Sequence, residues 1–280
     1  MTEKYIYIAP EKARELLAQT KEMKAAKRGI DSHVYLIDAY AVLTTSRIKL
    51  RNVATRDDDL AYFDELIHTL MRLREQGVAV VPILGYCYDP DSEDGTGYIF
   101  QPRAKGEELY DDAVMQAYKA RKSAYLSSDI APKPYILSRT RFISQVPQEH
   151  FDKFISDILV LLGHDILIDS NGKSNFFYDE KAGFQFIDLD SHTDYKYGLA
   201  KKYDSKEICA YNGFVPCHYN LDKKALKKLG KEGLRQLARD NRTIFEKCRT
   251  AMLNNGISEE QIRASLKKAK IFGGGNPCRS

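Results

Sequence analysis

The chain contains no run of apolar residues near the roughly 20 that a bilayer-spanning helix needs, and its opening MTEKYIYIAPEK lacks the layout of a secretory signal. Both absences predict a cytoplasmic protein with no membrane partner, although delivery of the chain into a host cell is compatible with them. Paired cysteines are missing too. Cys87, Cys209, Cys217, Cys248 and Cys278 are scattered and odd in number, which argues for a reducing compartment rather than a disulfide framework. Only Cys209, Cys217 and His218 come near one another, and their spacing does not match the paired-cysteine zinc patterns. A strong excess of one charge is also absent, and the net +4 is too small to argue for a nucleic-acid partner. No internal repeat is visible. What remains is 280 residues with 43% apolar and 29% charged side chains, an ordinary globular composition long enough for one large domain or two lobes.

Along the chain, residues 9–27 read as a charged, Ala-rich amphipathic helix with Pro10 in its first turn. GIDSHVYLIDAYAVLTTSRIKLRN is β-rich, with Asp38 as a turn between two strands. Asp57, Asp58 and Asp59 mark a helix N-terminus, where negative charge meets the helix dipole favourably. Leu60, Phe63, Ile67, Leu70 and Met71 continue that helix to about Gly77. VAVVPILGYCY reads as a buried strand, DPDSEDGTG as a hairpin turn and YIFQPR as the returning strand. From Glu108 the composition turns helical, first over Glu108–Tyr125. A second stripe follows at Phe151, Phe154, Ile155, Ile158, Leu159 and Leu162. One or two basic helices, broken at Gly230 and Gly233, span Leu221 to Leu253, and Ser258 with Gln261 forms a capping box for the last. The basic positions Lys223, Lys224, Lys227, Lys228 and Lys231 are those of a solvated helix face more than of a nucleic-acid surface.

The stretch ILIDSNGKSNFFYDEKAGFQFIDLDS, from Ile166 to Ser191, sets Asp169, Asn175, Asp188 and Asp190 at the ends of two apolar strand-like runs. Acids and an amide are costly to desolvate there unless something compensates them. A divalent ion taking oxygen ligands would do so. A surface β-meander with DSNGKS as a plain turn is the alternative.

Between Gly29 and Ser191 the order of these elements resembles the protein-kinase-like superfamily, including bacterial small-molecule phosphotransferases and effector-type kinases. The resemblance implies an α+β, two-lobed fold: a β-rich N-lobe with one long helix, then a mainly helical C-lobe. Its expected boundaries are 1–106 for the nucleotide-binding lobe, 107–272 for the helical lobe with catalytic and metal-binding loops, and 273–280 for a flexible tail. It implies ATP and Mg²⁺ as cofactors, and a protein or small molecule as phosphoryl acceptor.

Residue by residue, the resemblance puts the phosphate lid at Gly29, Ser32 and Val34, with Lys27 where the first lid glycine would stand. A plain β-turn accounts for the same residues. Lys49 matches the phosphate-contacting lysine; in another register Thr44 takes its place, which implies an impaired enzyme. Asp64 or Glu65 is the helix carboxylate that holds the lysine, with His68 the remaining position. Phe100 matches the gate before the adenine-gripping hinge, Gln101 to Arg103, in which Pro102 removes one N–H.

Asn175 and Asp188 match the metal-binding pair, with a strand, a turn at Glu180–Gly183 and a strand between them. Asp188-Leu-Asp190 resembles the D-x-D variant of the metal motif. The H-R-D histidine and arginine are absent and Ser170 stands at the position of the base. Either the loop holds one extra residue and Asp169 is the base, or the base is missing. Lys173 in the same loop would neutralise the transferring phosphoryl group. SHTDYKYGLAKKYDSKE carries no A-P-E, so no regulated activation segment is expected. The implied function is an ATP-dependent phosphotransferase; the alternative is a pseudokinase acting as a scaffold. The oligomeric state is not written in the sequence.

Overall fold

Two strands rich in β-branched and aromatic side chains, β3 (Ser32–Ile37) and β4 (Tyr40–Thr45), pair antiparallel in the computed structural model. Ile37 lies opposite Tyr40; Asp38, expected to turn the chain between the two strands, lies outside the described residues. The structure describes residues 6–18, 27–28, 32–37, 40–45, 56–89, 96–102, 107–108, 133–164, 166, 176–186, 206 and 229–268. The chain divides into two compact units, Met1–Lys105 and Gly106–Ser280, and is α+β in class.

The first unit adds β1 (Ile6–Tyr7), α1 (Pro10–Ala18), β2 (Lys27–Arg28), α2 (Arg56–Glu75), β5 (Gly85–Asp89) and β6 (Thr96–Pro102). Its sheet runs β1-β5-β6-β4-β3-β2. Every neighbouring pair is antiparallel except β1 with β5. Ala13 from α1 packs with Val42, Cys87 and Phe100 of the sheet, and Ile8, Tyr35 and Tyr98 cover the cluster's edge. Proline opens α1, where its missing N–H would have had no helical partner. Arg14 on α1 makes a two-pronged ion pair with the buried Asp89 at the end of β5, at 2.6 and 2.5 Å.

The helix α2 buries Ile67, Leu70 and Leu73, while Met71 is only half buried. Its end is a Schellman motif. Gly77, at φ +85°, donates to the Arg74 carbonyl, and Val78 N–H reaches the Leu73 carbonyl. The run expected as one strand from Val78 to Tyr88 does not form one. Only Gly85–Asp89 joins the sheet, because Pro82 has no N–H to give a ladder.

The second unit holds β7 (Glu107–Glu108), α3 (Lys133–Gln145), α4 (Gln148–Gly163), β8 (Phe176–Asp179), β9 (Gly183–Phe186), α5 (Gly230–Asn254) and α6 (Glu259–Lys268). Glu108, expected to begin a helix, instead pairs with Phe177 in an antiparallel sheet ordered β7-β8-β9; the rest of that expected helix lies outside the described residues. Helix α4 buries Phe151, Phe154, Ile155, Ile158 and Leu161. Leu159 and Leu162, expected on its stripe, are half buried, since the 3.6-residue period brings Leu161 to the inner face.

Helix α5 is continuous through Gly233, contrary to the expected break. A mid-helix glycine costs about 1 kcal/mol relative to alanine; burial of Leu237, Ile244, Cys248, Ala251 and Met252 on the same helix outweighs it. A second Schellman turn at Gly256 ends α5. Ser258 and Gln261 then form the expected reciprocal box: Ser258 N–H donates to Gln261 Oε1 at 2.9 Å and Gln261 N–H to Ser258 Oγ at 3.2 Å. Among the described residues no helix is long and apolar enough to cross a membrane.

Candidate functional site

The two apolar runs around the candidate metal residues form an antiparallel hairpin. Phe176 pairs with Phe186, Phe177 with Gln185, Tyr178 with Phe184 and Asp179 with Gly183. The turn is built by Asp179, whose Oδ1 accepts the Lys181 and Ala182 N–H groups at 2.9 and 2.8 Å. Gly183 at φ +75° supplies the left-handed residue that the return requires. The strand, turn and strand therefore stand where the sequence places them. Asn175 immediately precedes the first strand of this hairpin and Asp188 follows its last strand by two residues. Both lie outside the described residues, as do Asp169, Lys173 and Asp190.

The hairpin is held against α4 by aromatic side chains. Phe151 and Phe154 meet Phe184 with centroids 5.2 and 5.0 Å apart, and Phe154 stacks on Phe186 at 5.7 Å and 13°. Tyr178 is buried, with Phe142 edge-on at 5.4 Å, and its hydroxyl shares a hydrogen bond with His150 Nδ1 at 2.9 Å. Burial pushes the Tyr178 phenol above its ordinary value, with Glu180, Asp179 and Glu149 adding to the rise.

In the first unit, the α2 carboxylates separate clearly. Glu65 and His68 are exposed. Asp64 turns inward, and its Oδ1 is sealed from solvent without a hydrogen-bond partner. Buried acceptors nearly always find a donor, so an unmatched carboxylate oxygen marks a place suited to a cation. Asp240 Oδ2 and Asn241 Oδ1 on α5 are orphaned in the same way, but Asp240 offers its other oxygen to Arg141, 3.3 Å away.

Among the lid residues, Ser32 and Val34 lie on β3, opposite Thr45 and Leu43 of β4. β2 and β3 pair antiparallel with Arg28 opposite His33; Gly29, between them in sequence, lies outside the described residues. β4 lies between β3 and β6 and carries Thr44 opposite Tyr98 of β6. Lys49 lies beyond it, outside the described residues.

Phe100 is a member of the sheet's buried cluster, and its carbonyl accepts the Leu84 N–H at 2.8 Å. Gln101 is also buried and pairs with Ala41; Pro102 pairs with Tyr40. Arg103 lies outside the described residues, as do Cys209, Cys217 and His218. Among the described residues no three His, Cys, Asp or Glu side chains gather to hold a metal ion.

Several polar groups were not singled out from the sequence. Asp157 is buried on the inner face of α4 and paired with Lys153 one turn earlier. Lys247 of α5 donates to the Ser144 and Val146 carbonyls at 2.8 and 2.5 Å, capping the end of α3, and lies over the Phe151 ring. Asp157, three residues from Phe154 on an apolar helix, was the one carrying a visible signal: an acid on a buried stripe implies a partner. Comparison with protein-family models finds no match, and no curated protein matches the chain.

Proposed function

We propose that the chain is an ATP- and Mg²⁺-dependent phosphotransferase with a two-lobed, protein-kinase-like arrangement, moving the γ-phosphoryl group to a hydroxyl of a protein or small molecule. The observation that carries the reading is the β8–β9 hairpin. Its paired ends Phe176 and Phe186 are one and two residues along the sequence from the candidate metal ligands Asn175 and Asp188. An amide and a carboxylate so placed are the oxygen donors a hard cation takes. The unmatched Asp64 Oδ1 supports it independently, since a lysine held for phosphate would satisfy that oxygen.

In this reading Asn175 and Asp188, with Asp190 beside them, hold Mg²⁺, which offsets the charge of the nucleotide phosphates. Lys49 contacts the α- and β-phosphates and Asp64 holds Lys49 in place. Gly29, Ser32 and Val34 form the lid, and Gln101 and Arg103 flank the adenine. Asp169 would accept the proton of the acceptor hydroxyl, and Lys173 would neutralise the phosphoryl group in transfer. A pseudokinase is the second reading. It is supported by one observation: β4, paired with β6, carries Thr44 opposite Tyr98, and Thr44 takes the lysine's place in the second register of the resemblance.

Thermal unfolding with ATP, with and without Mg²⁺, separates these readings. A phosphotransferase is stabilised by the pair, by about 2.7 kcal/mol at a hundredfold excess over Kd. Asp188→Ala is expected to remove the Mg²⁺-dependent part and phosphoryl transfer while leaving the urea midpoint in place. An Asp188→Ala protein that keeps its Mg²⁺ response overturns the assignment, and nucleotide binding indifferent to Mg²⁺ favours the pseudokinase.

A further inference from the structure

Helix α5 buries Leu237, Asp240, Ile244, Cys248 and Ala251 along one side. The helical period puts Lys231, Arg235, Arg239 and Arg242 on the opposite side, and all four are exposed. They span three turns, roughly 16 Å of helix axis. The overall charge of +4 gives no cause to expect a polyanionic partner, but folding gathers the excess. α5 holds six basic residues against three acidic, and one of the acids, Asp240, is buried and paired with Arg141.

Little on the surface neutralises this stripe. Glu232 lies 3.7 Å from Arg235 and 3.6 Å from Arg239, too far for a good hydrogen bond, and both guanidinium side chains are at least 60% exposed. Arg242 makes no ion pair or hydrogen bond among the described residues. Arg249, two turns further on, is by contrast held by Glu246 and Glu259, which closes the stripe at that end. The surroundings select among acidic partners. A protein interface draws on aromatic and apolar anchors, and a membrane surface on apolar side chains that enter it. The large exposed apolar side chains of α5 are Leu234, about a quarter-turn from the stripe, and Leu253, three turns beyond Arg242. Single-stranded nucleic acid stacks its bases on aromatic rings, and the one aromatic of α5, Phe245, is half-buried to the side of the stripe. Forked guanidinium groups match phosphate oxygens two at a time, and a duplex backbone asks for nothing more.

We propose that the Lys231, Arg235, Arg239 and Arg242 face of α5 binds the phosphate backbone of a double-stranded nucleic acid without reading its sequence. This goes beyond the phosphotransferase reading and does not depend on it.

The test titrates a labelled short DNA duplex with the full chain and follows fluorescence anisotropy as salt is raised. With three arginines on phosphates, log Kobs is expected to fall against log salt with a slope of about −2.7, an affinity loss of about fortyfold between about 50 and 200 mM salt. Arg235→Ala, Arg239→Ala and Arg242→Ala are each expected to flatten the slope by about one, and a duplex of different sequence to bind equally well. Arg242→Lys keeps the charge and is expected to keep the slope. All these side chains are exposed, so the urea midpoints are expected to stay in place. Arg72→Ala, at an exposed arginine of α2, removes the same charge elsewhere and is expected to leave the slope unchanged. No duplex binding at low salt overturns the proposal, as does an unchanged slope in the triple alanine variant or an equal flattening in Arg72→Ala. Tighter binding of the matching single strand, or displacement of the duplex by poly-glutamate or anionic vesicles at equal charge, assigns the face to a different partner and overturns it too.

Discussion

A carboxylate oxygen that is shut away from water with no donor costs about 1–3 kcal/mol, and a fold keeps such a group only against its own stability. Asp64 Oδ1 is in that position, while its neighbour Glu65 faces solvent. Helix angle alone puts Glu65 outside the apolar stripe and Asp64 at its edge, in line with their exposure, but does not show that Asp64 Oδ1 lacks a donor. Replacing Asp64 with alanine removes the orphaned acceptor and installs a better helix former. Asp64→Ala is therefore expected to stabilise the folded chain by about 1 kcal/mol in urea unfolding, and to lose the ATP-dependent stabilisation. Glu65→Ala is expected to move neither by more than about 0.5 kcal/mol. An Asp64→Ala protein that keeps its ATP-dependent stabilisation would remove the nucleotide role of Asp64.

Among the elements, the α4 stripe and the capping box were legible because their signals are local: 3.6-residue periodicity in one, a four-residue motif in the other. Their energies differ by kind. Phe154 is buried between Phe184 and Phe186, and Phe154→Ala is expected to cost about 3–5 kcal/mol through the cavity it leaves. Ser258→Ala removes one cap hydrogen bond at the start of α6 and is expected to cost about 1 kcal/mol. Chemical denaturation of the two variants checks the contrast; equal losses would show that the hairpin is not packed on α4 as described. What local signals missed is equally physical. α3 was not anticipated, although its buried Ile143 and Thr140 are internal to it. The expected break at Gly233 did not occur, because packing of the rest of α5 overrides the preference of one residue.

Over the whole molecule, alkaline pH exposes the balance of buried groups. Burial, with Asp89 adding to it, lifts the Cys87 thiol from 9.0 to about 12, and burial lifts the Tyr178 phenol above 10.0. In both cases the unfolded chain gives up its proton first, so stability is lost as pH rises above 9.0 for Cys87 and above 10.0 for Tyr178. The Cys87 contribution alone falls by at most about 1.4 kcal/mol per pH unit. Lys247 acts in the opposite sense: desolvation lowers it from 10.5, so the folded chain gains as pH climbs toward that value. Cys87 carries the largest of these shifts and sets the balance. Urea unfolding between pH 8 and about pH 11 is expected to show declining stability, with Cys87→Ala declining less steeply; a flat wild-type profile would contradict the buried thiol.

The candidate metal pair comes from the resemblance, Asn175 and Asp188 having the separation it implies, and the hairpin between them in sequence is present. The amino-acid order by itself determined the class of each local element whose cause lies within a few residues: the Asp179–Gly183 turn, the α4 face, the Ser258 cap, the proline start of α1. Only the tertiary structure decided which distant groups meet. Arg14 reaches Asp89 across 75 positions and Arg141 reaches Asp240 across 99, His150 finds Tyr178, and Asp64 keeps an oxygen with no donor. Periodicity and turn chemistry are set by neighbours along the chain, whereas burial and the pairing of charges depend on atoms that only folding brings together.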